Sequence, residues 1–176
     1  MTTIDNQATA TMKKLTPPPA QPPVPADPRL KWGDRALLRL VWKSVRAVSA
    51  HVPPLRIRLP GGPDPRQLLA LLTFCYSTGI YATEDIEYAA RQGRLPPGLV
   101  PRSGLTADLL RAFRRANRPW IEESLARVFA RLPEAAAWFT TAAENALPPE
   151  RHLEACRRAA RRAVELATLF DTALAD

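Results

Sequence analysis

The fold is decided by residues 64–79, which read DPRQLLALLTFCYSTG. Asp64 is a favoured helix N-cap, Pro65 is well tolerated in the first helical turn, and the closing threonine–glycine pair is a common helix end. Between these signals, apolar side chains fall on most sides of a helix, which is typical of a helix buried in a core. The sequence therefore predicts a central buried helix that runs from Arg66 to about Tyr81.

A first helix is predicted upstream, over residues 30–51. Spacings of three and four residues gather its apolar side chains into one stripe and its basic side chains into another. The apolar stripe is Leu37, Val41, Val45 and Val48, and the basic stripe is Arg35, Arg39, Lys43 and Arg46. A basic stripe suits contacts along a phosphate backbone, although a solvated helix face is its commoner role.

Further helices are predicted downstream of the central one. Thr83 is expected to cap a helix that ends before Gly93, and Thr106 is expected to cap the next. Pro119 should then open a helix that ends at about residue 132. A weaker helix is predicted at residues 135–146.

The last helix is predicted from Glu150 to about residue 175. Its apolar positions alternate steps of three and four, which forms a seam for close helix packing. The seam consists of Leu153, Cys156, Ala160, Ala163, Ala167, Phe170 and Leu174. Because small alanines specify oligomers weakly, packing within the protomer is favoured over a homodimer.

The fold class predicted from these elements is all-α, a multi-helix bundle with a helix-turn-helix-like central block. Residues 1–28 are predicted to be a disordered tail, since the prolines of residues 17–25 disfavour helix and sheet. Residues 29–176 are predicted to form one helical domain. Within it, residues 55–59 alternate apolar and basic side chains, which indicates a short extended arm or edge strand.

The composition points to a polyanionic partner and away from catalysis. The 176 residues carry a net charge of +8, from 25 Lys and Arg against 17 Asp and Glu. Two histidines, His51 and His152, and two cysteines, Cys75 and Cys156, lack metal-ligand spacing. Phosphate-binding and nucleophile motifs are missing as well. We therefore expect a cytoplasmic or nucleoid-associated protein without enzymatic activity, cofactor, metal, small-molecule substrate or membrane span.

Arginines cluster on two of the predicted helices. On the helix that follows Thr106, Phe113 is expected to anchor the helix while the guanidinium groups point outward to guanine edges or phosphates. Asn117 could read adenine or simply cap the helix. The candidate DNA-binding residues are Arg111, Arg114, Arg115, Asn117 and Arg118, with Arg157, Arg158, Arg161 and Arg162 as phosphate contacts on the last helix.

Two stretches resemble a known family. Residues 68–87, LLALLTFCYSTGIYATEDIE, and residues 105–117, LTADLLRAFRRAN, are similar to the N-terminal DNA-binding domain of DDE-class insertion-sequence transposases. With the helix that follows, the resemblance covers about residues 65–132. It implies DNA binding through a helix-turn-helix-like block, and it implies a non-catalytic relative, truncated, domesticated or regulatory, because no RNase-H-like domain follows.

The sequence also departs from that family. Glu84 or Asp85 replaces the arginine usual after the Gly-Ile-Tyr turn, and residues 102–104 replace a customary polar residue and histidine. The alternative function is a helical protein-interaction module, either a homodimer or the partner of a larger transposase. In that case the arginines serve only to keep the surface soluble.

Overall fold

The computed structural model describes residues 29–50, 62–102 and 104–173 of the chain, with side chains from Arg35 onward. Every regular element in these ranges is a helix, which confirms the all-α prediction. The tail predicted at residues 1–28 and the arm predicted at 55–59 lie outside the described residues. The helices are α1 (Arg29–Ser49), α2 (Pro65–Ser77), α3 (Thr83–Arg91), α4 (Ala107–Phe129), α5 (Pro133–Ala136), α6 (Ala142–Asn145) and α7 (Pro149–Ala173).

Helix α2 has the predicted start and the predicted burial. The Asp64 side chain accepts a hydrogen bond from the Arg66 backbone N–H at 3.0 Å, and every residue from Leu68 to Ser77 is buried. The helix ends at Ser77, earlier than predicted, because Gly79 turns the chain with φ +84°. Glycine adopts this left-handed backbone without steric cost.

Helix α4 packs against α1, α2, α3 and α7. It begins as predicted, since the Thr106 hydroxyl accepts a hydrogen bond from the Leu109 backbone N–H at 3.2 Å. The two helices predicted on either side of Pro119 are continuous except for a kink at Asn117, where φ is −124° and ψ is 19°. Proline has no backbone N–H to donate and crowds the preceding turn, which accounts for a kink at this point.

Helix α7 lies along α4 and makes its most extensive packing there. Cys156, Ala160, Ala163 and Ala167 are fully buried in this interface. The seam therefore serves packing within the protomer, as expected, and it is not available to a second copy of the chain. Phe170 departs from the prediction, because it is 44% exposed. The last seam position, Leu174, lies outside the described residues.

Helix α1 closes the core on the other side of α4. The predicted apolar stripe, Leu37, Val41, Val45 and Val48, is buried, and α1 packs on α4 and α2. The four basic side chains of the neighbouring stripe are exposed. The apolar stripe is therefore buried and the basic stripe exposed, as the spacing predicts.

Two local predictions were wrong. Ala82 is the N-cap of α3, and Thr83 is the first helical residue, because its hydroxyl and backbone N–H both donate to Asp171. The helix predicted at residues 135–146 is two short helices, α5 and α6, separated by a turn. Thr141 starts α6 with a capping box that it shares with Glu144, and this local cap interrupts the longer helix.

Candidate nucleic-acid interface

Arg114, predicted to face DNA, points into the protein. It is 4% exposed, and its Nη1 donates to the Tyr76 hydroxyl at 3.1 Å and to the Ala167 carbonyl oxygen at 3.3 Å. Its Nη2 forms an ion pair with the Asp171 carboxylate, whose side chain is equally buried. The prediction of an outward guanidinium was wrong at this position, because the face of α4 that bears Arg114 is covered by α2 and α7.

The Asp171 carboxylate extends this buried cluster to α3. Its Oδ1 accepts hydrogen bonds from the Thr83 backbone N–H and from the Thr83 hydroxyl, both at 3.0 Å. Burial lowers the pKa of Arg114, but its bonds to Tyr76 and Asp171 outweigh that effect, so the pKa is raised overall. Burial also raises the pKa of Tyr76 to about 12. The cluster joins α2, α3, α4 and α7, and its role is structural.

Asn117 is also unsuited to reading a base. Its side chain is fully buried, and its Nδ2 donates to the Phe113 carbonyl oxygen at 3.0 Å. The amide thus satisfies a backbone acceptor beside the kink in α4, a site where helical hydrogen bonds are disturbed. Of the two roles considered for Asn117, the reading of adenine is wrong because the side chain is buried, and the hydrogen bond to its own helix agrees better with a local, cap-like role.

Two other arginines of α4, Arg111 and Arg118, are held by carboxylates. Arg111 donates to Glu84 Oε1 through Nη2 at 2.7 Å and through Nη1 at 3.1 Å. Arg118 donates to Glu122 at 2.6 Å and to Glu165 at 3.0 Å. The hydrogen bond to Glu122 is the largest of the effects that raise the pKa of Arg118. These cations would have to give up carboxylate partners before binding phosphate.

The arginines of α7 are mostly engaged in the same way. Arg157 donates to Glu123 at 3.1 Å and also pairs with Glu154. The hydrogen bond to Glu123 is the main reason that the pKa of Arg157 is raised. Arg158 pairs with Glu144 at 3.2 Å. Arg162 donates to the Phe139 carbonyl oxygen at 3.0 Å.

Only two of the predicted contacts remain as exposed, unpaired cations within the described part of the chain, namely Arg115 on α4 and Arg161 on α7. Arg161 also borders a surface depression lined by Arg157 and by three acids, Glu122, Glu123 and Glu154. Carboxylates at this depression repel phosphate. The predicted interface on α4 and α7 is therefore largely neutralised by the protein's own acids.

The basic face of α1, defined as Arg35, Arg39, Lys43 and Arg46, has the opposite character. All four side chains are exposed, and none forms an ion pair or hydrogen bond with another described residue. The sequence explains this, because there is no Asp or Glu between Asp34 and Asp64. Steps of three or four residues separate the cations, which corresponds to a rise of about 5 to 6 Å between neighbours.

Beside these cations lies an open groove of about 590 Å³. Leu38 and Trp42 line its apolar part, and Arg39, Lys43 and Arg46 line its basic part. Both apolar side chains are partly buried and pack against the core. The arrangement offers a polyanion several unpaired cations together with an apolar surface.

The described ranges were also compared with what a metal site and a membrane-spanning helix require. His152 and Cys156 lie near each other, with Nε2 to Sγ at 3.6 Å, but no group of three or more metal-ligating side chains occurs there. Within those ranges, no helix has both the length and the apolar character needed to span a bilayer.

Comparison with known proteins adds no family: no protein-family model, curated protein or solved structure matches this chain. The resemblance of residues 65–132 to a transposase domain therefore stays a prediction.

Proposed function

We propose that this chain is a DNA-binding helical module whose contact surface is the basic face of α1. The observation that carries the proposal is the unequal distribution of paired and unpaired cations. Arginines on α4 and α7 are largely bonded to carboxylates and carbonyl oxygens, whereas the four cations of the basic face of α1 have no partner among the described residues. Phosphate contacts depend on cations that are free to release counterions on binding.

The proposed contact is to the phosphate backbone. The cations follow one face of a helix over residues 35–46, a rise of about 16 Å. Helix α1 is anchored by its buried stripe of Leu37, Val41 and Val45, so the basic face is presented by a rigid element. Such a surface positions DNA without reading its sequence, since phosphate contacts carry no base information.

The same anchoring argues against an anionic membrane as the partner. An amphipathic helix that lies in a membrane surface inserts its apolar face among the lipids. The apolar stripe of α1 is already committed to the core, where it packs on α2 and α4. Vesicles with anionic lipids should therefore bind more weakly than DNA of similar charge.

Anisotropy titration of a short duplex against salt tests the proposal. With about four phosphate contacts, the slope of log affinity against log salt should be near −3.6, which is about a 100-fold reduction between 50 and 200 mM salt. Failure to bind at 50 mM salt, or affinity that does not change with salt, would contradict DNA binding. Tighter binding to anionic vesicles would contradict the choice of partner.

A helical protein-interaction module is the second candidate, and one observation favours it. Leu169 and Phe170 are 65% and 44% exposed near the end of α7, next to Tyr81, whose ring centroid lies 6.3 Å from that of Phe170. Exposed apolar patches of this kind often mark contacts with other proteins. Sedimentation should then give a dimer that Leu169→Glu dissociates, whereas a monomer at micromolar concentration would reject self-association.

A further inference from the structure

The groove on α1 contains an aromatic side chain among its cations. Trp42 follows Leu38 by four residues and Arg39 by three, and it precedes Arg46 by four, so all of them share one side of the helix. The same residues line the groove of about 590 Å³. Trp42 is partly buried against the core, so its position is fixed while its outer part borders the groove.

Single-stranded and double-stranded nucleic acids use such a groove differently. Phosphates of either form can meet the cations, but the faces of duplex bases are stacked on one another and cannot reach an indole. In a single strand the faces of the bases are accessible, and stacking on aromatic side chains adds affinity with little dependence on sequence. Of these two forms of nucleic acid, only the single strand can therefore use the apolar part of the groove.

We infer that the α1 groove binds a single-stranded segment of nucleic acid, with one base against Trp42 and adjacent phosphates at Arg39, Lys43 and Arg46. This inference rests on the proposed function and narrows its ligand. The cations supply the attraction shared by every polyanion, and Trp42 supplies the preference for the single strand. Two features favour this ligand for the α1 groove: its negative charge complements the cations, and its bases have accessible faces.

The test compares the affinity of the protein for a single DNA strand of about 20 nucleotides with its affinity for the duplex of the same sequence. Trp42→Leu should weaken binding of the single strand by about 5-fold to 150-fold, and it should leave duplex binding within 2-fold. Trp42→Phe keeps an aromatic face and should keep most of the affinity. Trp138→Leu is the matched control, because Trp138 is 69% exposed and does not line the groove.

Indole fluorescence provides a second measurement that does not depend on the Leu variant folding. The chain has four tryptophans, so the single strand should quench the part of the emission that comes from Trp42, and Trp42→Phe should remove most of the quenching. If Trp42→Phe leaves the quenching in place, or if Trp42→Leu folds and binds the single strand as tightly as the native protein, the stacking site is refuted. Tighter binding of the duplex than of the single strand would refute it as well.

The two levels of the proposal fail in different ways. If neither nucleic acid binds at about 50 mM salt, the proposed function is wrong and the ligand preference falls with it. If the duplex binds with a steep salt dependence while the Trp42 variants behave like the native protein, only the preference for a single strand is wrong.

Discussion

Ala163→Glu should leave little folded protein. Ala163 is fully buried where α7 packs on α4, and a glutamate there would bury a charge without a partner. The expected decrease in the free energy of unfolding exceeds about 4 kcal/mol, which is a large part of the 5–15 kcal/mol typical of a domain. Circular dichroism during urea titration measures the effect.

The matched control lies on the same helix. In a monomeric protein, Leu169→Glu places the same charge at a side chain that is 65% exposed, and it should change the free energy of unfolding by no more than about 0.5 kcal/mol. A folded, monomeric Ala163→Glu variant derived from a dimeric parent would instead mean that the seam joins two copies. That result would contradict the packing of α7 within the protomer.

Asp171→Ala should be the next most damaging change. The Arg114 guanidinium would then be buried without its carboxylate, and the Thr83 backbone N–H would be left without its acceptor. Removing one partner from a buried ion pair costs about 3–5 kcal/mol, because the remaining charge is uncompensated. The free energy of unfolding from urea titration is the measurement.

Glu165→Ala is the comparison for this prediction. It removes a carboxylate from Arg118 at 3.0 Å, but the Glu165 side chain is 58% exposed, so the cost should stay below about 1 kcal/mol. The double variant Arg114→Met and Asp171→Leu should recover much of the stability that Asp171→Ala removes, since it leaves neither charge buried. Equal destabilisation by Asp171→Ala and Glu165→Ala would show that the buried cluster does not hold the helices together.

The helices were largely predictable because their signals are local. The cap at Asp64, the apolar run that follows it and the seam of α7 depend on neighbours a few residues apart. The cap and the run agree with the structure, and the seam agrees from Cys156 to Ala167. Thr83 was misjudged because its partner, Asp171, is 88 residues away. A residue that favours the N-cap position can lie inside the helix instead when a distant carboxylate binds it more strongly.

The candidate site was predictable only in part, and for the same reason. The sequence of a helix does not show whether a basic side chain is solvated or paired with an acid, because the acid can be distant in the chain. Arg157, for example, binds Glu123, which is 34 residues away. Arg114 lies among other arginines, yet tertiary packing buries it. Beyond Asp34, the basic face of α1 has no acid near it in the sequence before Asp64, and this acid-free stretch is the better indicator of free cations.

The most direct measurement compares two double variants that each remove two positive charges. Arg39→Gln with Lys43→Gln should weaken duplex binding, because each removed cation no longer neutralises a phosphate. The slope of log affinity against log salt concentration should become about 2 less steep. Arg115→Gln with Arg161→Gln, at one exposed and unpaired arginine of α4 and one of α7, should leave both quantities nearly unchanged. The reverse pattern would mean that DNA meets α4 and α7 and not the basic face of α1.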